Sequence, residues 1–266
     1  MPPACPAERA LPPGWDHHPP PTSHPAVCSL GASAPPRPPT LLSVTTCDLV
    51  LPCRDEAAAL PGVMARVPEG FAVIVVDNGS RDGTAEVARG LGATVVEESR
   101  PGYGAAVHAG VEAASAEYVA VLDGDGSMDP AELVPLLAEV RDGTATMAVG
   151  RRRPGARGVW PWHARTGNAV VLAWLRRRTG LAVRDIAPAR VCRRTDLLDL
   201  GVEDRRFGYP VELLVRAQRA GWTITEHDIT YMPRAAGTRS KVSGSVRGTL
   251  RAGRDFARVL ATEAGR

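Results

Sequence analysis

The chain has 266 residues, of which 44% are hydrophobic and 23% are charged, a balance typical of a globular protein with one substantial core. The formal net charge is only +3, and aromatic residues make up 5% of the chain. Both values argue against a nucleic-acid partner, because nucleic-acid binders place stacking aromatics among many basic residues.

Residues 1–44 are rich in proline and show no periodic apolar face. A segment of this composition buries too little apolar surface to fold, so we expect a disordered proline-rich tail. We place the folded domain at residues 45–241 and a basic amphipathic helix at 242–266. The working protein is expected to begin near Val44, which the intact mass of the natively expressed protein would test.

From Cys47 onward, short apolar runs alternate with segments of helical periodicity. Strands are predicted at 47–51, 72–76, 93–96 and 118–122, and helices at 56–67, 84–91 and 104–114. Repeated strand and helix units predict an α/β fold with a mostly parallel sheet and helices on both faces. Such sheets bind ligands at the carboxyl ends of their strands.

The second half of the chain shows the same alternation less regularly. Asp129 and Pro130 indicate a helix start, with Glu132 placed to close a capping box. Further strands are predicted at 147–149, 189–192 and 223–231, and further helices at 166–178, 211–220 and 245–261.

The cysteine pattern and the absence of long apolar runs indicate the compartment. Five cysteines occur without a C-x-x-C pair, which favours a reducing interior. No apolar stretch reaches the roughly eighteen residues that a membrane span requires, and the N-terminus lacks a signal-peptide core. We therefore expect a cytoplasmic protein.

The motif VLDGDGSMDP is the most informative feature of the chain, because it places Asp123 and Asp125 at the end of a buried strand. Alternation along an extended segment puts these carboxylates on one side, and Gly124 allows close approach of a ligand. Two carboxylates form a hard-oxygen site for Mg²⁺ or Mn²⁺, shared with nucleotide phosphates. The alternative is an ordinary turn, since Asp-Gly pairs also form turns after strands.

Five motifs in order resemble the inverting family-2 glycosyltransferases of GT-A fold, and more narrowly the polyprenyl-phosphate sugar synthases. The resemblance spans about residues 47–241, and the motifs are LPCRDEA, VIVVDNGSRDGT, GYGAAVHAG, VLDGDGSMDP and PRAAGTRSK. It implies a metal-dependent transferase that moves a sugar from a UDP- or GDP-sugar to an acceptor.

The resemblance also assigns residues to the donor side of the site. Asp123 and Asp125 match the metal-binding pair, with Asp125 the better candidate for direct ligation and catalysis. Donor binding is implied for Pro52, Arg54, Glu56, Asp77, Gly104, Asp123 and Lys241. Turn formation is the alternative for Asp77, and helix packing is the alternative for Gly104.

On the acceptor side, the resemblance matches Arg151, Arg165 and Arg190 to arginines that hold an acceptor phosphate, a task that suits the guanidinium fork. Asp185 matches an acid that precedes a turn and a final arginine, and Glu212 matches an acid facing the acceptor side. Both are candidate catalytic residues. Glu212 would act as a base for a hydroxyl acceptor, whereas an anionic phosphate needs none. The alternative for Glu212 is a helix-surface glutamate near an N-terminus.

The acceptor is predicted to be a polyprenyl phosphate, with a small soluble acceptor as the competitor. The basic, amphipathic C-terminal helix would suit peripheral contact with an anionic membrane, although packing onto the domain is the alternative. The sequence fits two other classes of protein poorly. A nucleotidylyltransferase would need a glycine-rich loop where this chain has LPCRDE, and a non-catalytic binding module would lack the metal acids or the basic residues of PRAAGTRSK.

Overall fold

The computed structural model describes residues 46–156, 159–186, 188–235, 253–259 and 261–262. The predicted tail at 1–44 and most of the predicted helix at 245–261 lie outside these ranges, as does Lys241. The described residues belong to one compact unit.

A seven-stranded sheet forms the centre of the structure, with the strand order β3-β2-β1-β4-β6-β5-β7. The strands are β1 (Cys47–Cys53), β2 (Phe71–Asp77), β3 (Thr94–Glu97), β4 (Tyr118–Val121), β5 (Met147–Pro154), β6 (Ala189–Arg193) and β7 (Ile224–Tyr231). Within these seven strands, only β6 runs antiparallel to its neighbours, β4 and β5. The α/β fold with a mostly parallel sheet is therefore confirmed.

The apolar strands bury residues on both faces of the sheet because side chains alternate along an extended chain. In β1, Val50 packs into one core cluster, whereas Leu49 and Leu51 pack into the other. In β2, Ile74 and Val75 divide in the same way. Two cores, one on each face, hold the sheet between layers of helices.

Seven α-helices between residues 60 and 219 cover the two faces. They are α1 (Leu60–Met64), α2 (Thr84–Gly90), α3 (Tyr103–Ala113), α4 (Leu133–Arg141), α5 (Trp162–Thr179), α6 (Arg194–Asp199) and α7 (Tyr209–Arg219). Apolar residues of α3, α5 and α7 enter the cluster around Val50, and those of α1, α2 and α4 enter the cluster around Leu49. None of these helices is both long and apolar enough to cross a membrane.

The first predicted helix is much shorter in the structure than expected, because residues 54–59 form a loop. Side chains from the start of α2 hold this loop: Thr84 Oγ1 accepts a hydrogen bond from Glu56 N, and Asp82 accepts one from Ala57 N. The loop reaches the carboxyl end of β1, where the predicted site lies. The helix α6 was not predicted.

The capping box predicted at Asp129 forms only in part. Asp129 caps a short 3-10 helix, Pro130–Glu132, by accepting a hydrogen bond from Ala131 N. The Glu132 carboxylate instead accepts hydrogen bonds from the backbone and hydroxyl of Thr230 on β7. A long-range contact with the sheet edge replaces the local cap.

Candidate active site

A cleft of about 660 Å³ lies at the carboxyl ends of β1, β2 and β4. Because β6 is antiparallel, its first residues reach the same edge, and Arg190 at that end also lines the cleft. The charged and hydrogen-bonding side chains of the lining include Arg54, Glu56, Asn78, Tyr103, Asp123, Asp125, Arg152, Arg190 and Arg234.

Asp123 and Asp125 follow β4 and both line the cleft. A side chain at Gly124 would collide with the sulfur of buried Cys53, so glycine lets this segment lie directly on β1. Burial, followed by the negative charge of Asp125, raises the pKa of Asp123 to about 6. Two neighbouring carboxylates in a buried position create a site that favours a cation.

Arg234 places a cation against this acid pair. Its Nη1 lies 2.8 Å from Asp125 Oδ2, while Asp125 Oδ1 accepts a hydrogen bond from Ser127 N at 2.9 Å. The segment that carries Arg234 is fixed by two backbone hydrogen bonds, from Met232 N to Ser127 O and from Ala235 N to Asp125 O. The loop after β7 therefore docks directly on the acidic motif.

The donor set of this motif fits Mg²⁺ or Mn²⁺. Carboxylate oxygens are hard ligands, and the pair already holds a positive charge next to Asp125. Within the described ranges, however, no group of three or more His, Cys, Asp or Glu side chains could hold a metal ion. Of the described side chains, these two carboxylates would hold the metal, and oxygens of a bound phosphate would supply further ligands.

A polar wall beside the acids is built from the ends of β1 and β2. Pro52, Arg54 and Glu56 line it. Asn78 completes it: its Nδ2 donates to Glu98 O at 2.9 Å and to Arg100 O at 2.8 Å. Its Oδ1 accepts from Gly102 N at 2.8 Å. Asn78 therefore ties the loop before α3 to the sheet edge.

The glycines of the GYG motif allow close packing against the loop before α7. A Cβ atom at Gly104 would lie 2.6 Å from Asp204 O and 2.8 Å from Tyr209 Cβ. Gly102 has a φ of +150°, and a Cβ there would collide with Arg205 O. Gly102 lines the cleft and Gly104 does not, so Gly104 acts in this structure through helix packing.

Side chains alternate along β5, so Arg152 points to the opposite face of the strand from Arg151 and Arg153. Arg151 and Arg153 both pair with Asp228 on β7. Arg152 pairs with Asp185 at 2.7 Å and lines the cleft. The structure thus brings Arg152, rather than Arg151, into the cleft that Asp123 and Asp125 line.

Arg190 is a second buried guanidinium in the cleft, with only 1% of the residue exposed. Its Nη2 donates to Tyr103 Oη at 2.7 Å, while its Nε has no hydrogen-bond partner among the described residues. Burial raises the pKa of Tyr103 to about 12, so its hydroxyl keeps its proton at neutral pH. A buried cation with an unused donor is suited to an anionic ligand.

Apolar side chains form the rest of the lining. They come from α5, the loop before β6, the loop before α7 and the segment 253–259, and include Val170, Val171, Ile186, Phe207 and Phe256. The segment 253–259 is helical, and Asp255 and Val259 within it are buried. This part of the predicted C-terminal helix therefore packs onto the domain, which was the alternative to a free membrane-binding helix.

Comparison with known proteins decides the family. Residues 48–194 match the model for glycosyl transferase family 2. The chain belongs to this family. An uncharacterized glycosyltransferase from Mycobacterium tuberculosis is 57% identical over 213 residues, covering 80% of this chain and 96% of the relative. The predicted family and enzyme class are thereby confirmed.

The name of another relative of this glycosyltransferase refers to a mannose-bearing polyprenol lipid. Polyprenol monophosphomannose synthase of Mycolicibacterium smegmatis is 32% identical, covering 74% of this chain and 81% of the relative. Among solved structures, glucosyl-3-phosphoglycerate synthase from Mycobacterium tuberculosis has a TM-score of 0.64 at 23% identity, covering 83% of this chain and 80% of that one. This likeness supports the GT-A fold.

The glycosyltransferase brings part of the predicted residue set together in the cleft. Those residues are Pro52, Arg54, Glu56, Asp123, Asp125 and Arg190. Asp77, Gly104, Arg151 and Arg165 do not line it. Asp77 accepts a hydrogen bond from Ser80 N, and Arg165 is exposed on α5.

Glu212, predicted as a catalytic acid, is buried outside the cleft lining. Its two oxygens accept hydrogen bonds from the backbone N–H groups of Glu203 and Asp204, at 2.9 and 2.6 Å. Arg216 lies 2.7 Å from the same carboxylate. In this arrangement Glu212 fixes the loop that packs against the GYG motif.

Asn78, Trp160 and Arg152 are among the residues of the cleft that were not singled out from sequence. Period-two alternation would have separated Arg152 from Arg151. No local pattern marks Trp160 or Asn78, because their partners lie on other elements.

Proposed function

We propose that this glycosyltransferase moves a hexose, with inversion, from a UDP- or GDP-sugar to a polyprenyl phosphate, using Mg²⁺ or Mn²⁺. The observation that carries the proposal is the combination in one cleft of an acid pair, the guanidinium groups of Arg152 and Arg190, and apolar side chains. Each of these matches one part of the two substrates: the metal diphosphate, the acceptor phosphate and the prenyl chain.

On the donor side, Asp123 and Asp125 would hold the metal, which when bound stabilises the charge that develops on the leaving diphosphate. Arg234 adds a second positive charge beside the same acids. Pro52, Arg54 and Glu56 would line the nucleotide pocket. Crystal structures of glucosyl-3-phosphoglycerate synthase with Mn²⁺ and UDP support this assignment by analogy of fold.

Two further donor contacts come from the resemblance. Asp77 would accept hydrogen bonds from the ribose or base. Lys241, outside the described residues, would close over the diphosphate as part of a basic loop.

On the acceptor side, Arg152 and Arg190 would hold the phosphate that attacks the anomeric carbon. A phosphate oxygen is already anionic at neutral pH, so the reaction needs no protein base. The hydrogen bonds that occupy both oxygens of Glu212 are compatible with such an acceptor.

The apolar lining favours a prenyl chain over a small soluble acceptor. Val171 and Phe256 lie in the same cleft as the two arginines, and Val170 extends this lining to the surface with 65% exposure. The undecaprenyl-phosphate mannosyltransferase of Micrococcus luteus, 32% identical over 218 residues, supports the same acceptor class. With such an acceptor, the enzyme would work in the cytoplasm in peripheral contact with the membrane.

Calorimetry with UDP and GDP, with and without Mn²⁺, would identify the base and test metal dependence together. Transfer of labelled sugar to liposomes containing polyprenyl phosphate would then test the acceptor. Asp125→Ala should abolish transfer while the protein stays folded, and Asp142→Asn, a change of an exposed carboxylate, should not. Full activity of Asp125→Ala would defeat the metal assignment. Liposomes that neither bind the protein nor accept sugar would defeat the lipid acceptor.

A further inference from the structure

Arg152 is held in one orientation by contacts on its face and on one edge. Its guanidinium carbon lies 4.3 Å from the centre of the Trp160 ring and 5.5 Å from that of Tyr231. Its Nε and Nη2 donate to the two oxygens of Asp185 at 2.9 and 2.7 Å. A planar guanidinium gripped in this way has little freedom to rotate.

Asp185 is itself fixed and is not available to a substrate. Only 1% of the residue is exposed, and it does not line the cleft. Besides the Arg152 side chain, its carboxylate accepts hydrogen bonds from the backbone N–H groups of Arg152 and Ile186. The backbone N–H of Asp185 in turn donates to Glu226. These bonds connect β5, β7 and the loop before β6.

The pairing leaves one edge of Arg152 for a ligand. Asp185 occupies Nε and Nη2, and Nη1 makes no hydrogen bond with any residue that the structure describes. Arg152 lines the cleft that also contains Asp123 and Arg190. Among the described contacts, the N–H groups of Nη1 are therefore the ones left over for a bound anion.

We propose that Asp185 is a positioning residue: it orients Arg152, with Trp160 as a supporting wall, so that Nη1 binds the phosphate of the acceptor. The inference rests on the proposed function in taking the acceptor to be a phosphate monoester. Asp185 touches no reacting atom and acts through Arg152. The loss of such orientation can cost about a hundredfold in rate.

The test compares Asp185→Asn, Arg152→Gln and the double variant, with Asp228→Asn as the matched control. Asp228 pairs with Arg151 and Arg153 on the same strand, and it does not line the cleft. Calorimetry would measure the binding of two phosphate monoesters, farnesyl phosphate and 3-phosphoglycerate, and steady-state kinetics would give KM for donor and acceptor separately.

Asp185→Asn should weaken binding of the phosphate monoester and raise the acceptor KM by about tenfold to a hundredfold, with the donor KM unchanged. The double variant should lose no more than Arg152→Gln, because both changes act on one contact. Trp160→Phe should retain more affinity than Trp160→Ala, and Asp228→Asn should bind like the wild type.

Three results would overturn the inference. Wild-type affinity in Asp185→Asn would show that Arg152 needs no positioning. Parallel losses of thermal stability, donor binding and acceptor binding would show a general structural role. A different outcome separates the two proposals. If 3-phosphoglycerate binds the wild type but farnesyl phosphate does not, only the proposal of a lipid acceptor fails. The role of Asp185 is then tested by the binding of 3-phosphoglycerate to the variants. If neither binds, both the acceptor proposal and the inference fail.

Discussion

Asp123→Asn should stabilise the fold at neutral pH, because the wild-type carboxylate is ionised there at a cost. Burial and the charge of Asp125 raise the pKa of Asp123 from 3.8 to about 6. Since the folded-state pKa lies above the unfolded value, the penalty is complete above about pH 6 and vanishes below about pH 4. At ~1.4 kcal/mol per pH unit, the rise corresponds to about 3 kcal/mol as an upper bound.

Urea unfolding in EDTA would measure this penalty between about pH 4.5 and pH 8. Asp123→Asn should exceed the wild type by up to about 3 kcal/mol in free energy of unfolding at pH 8, and the difference should shrink as the pH falls. Asp142→Asn, in which an exposed carboxylate is replaced, is the matched control and should differ little from the wild type at either pH.

Addition of Mn²⁺ together with the nucleotide that binds should make the wild type more stable than Asp123→Asn. A ligand that binds only the folded state stabilises it by mass action, and the variant lacks one of the two proposed metal ligands. The reasoning would be refuted if Asp123→Asn were no more stable than the wild type at pH 8 in EDTA, or if its advantage grew toward acid pH.

Three further changes test other parts of the site. Arg234→Ala should tighten the binding of Mn²⁺ alone by about tenfold in calorimetry, because a competing cation leaves Asp125; unchanged affinity would argue against the proposed metal site. Glu212→Gln should lower the free energy of unfolding by about 1–3 kcal/mol, because the carboxylate accepts two backbone hydrogen bonds, and kcat should stay nearly unchanged. A fall in kcat of about a hundredfold or more would instead indicate that Glu212 acts as a base. Gly104→Ala should cost about 1–3 kcal/mol in urea unfolding, because its Cβ would meet Asp204 O, and wild-type stability would contradict that packing.

Features encoded by neighbouring residues were predictable from the sequence. The apolar runs around Val50 and Val75 identified the central strands, and the motif after β4 placed Asp123 and Asp125 at the sheet edge. These predictions succeed because alternation, turn chemistry and strand ends are local properties. Family motifs then narrowed the enzyme class, which the comparisons confirmed.

Helix lengths depended on contacts that no local pattern shows. The segment after β1 has the composition of a helix, yet Thr84 and Asp82 draw its backbone into a loop. Glu132 likewise bonds to Thr230 on a distant strand instead of closing the predicted capping box. Tertiary partners can thus replace local bonds of similar strength.

The sequence by itself determined the fold class, the acidic motif and the family, because each follows from short-range pattern or from motif order. Only the tertiary structure decided which arginine of β5 lines the cleft. Arg151 and Arg152 are chemically identical neighbours, and what separates them is Asp228 on one side of the strand and Asp185 on the other. Those partners lie 77 and 33 residues away in the chain, so their pairing depends on how the sheet assembles.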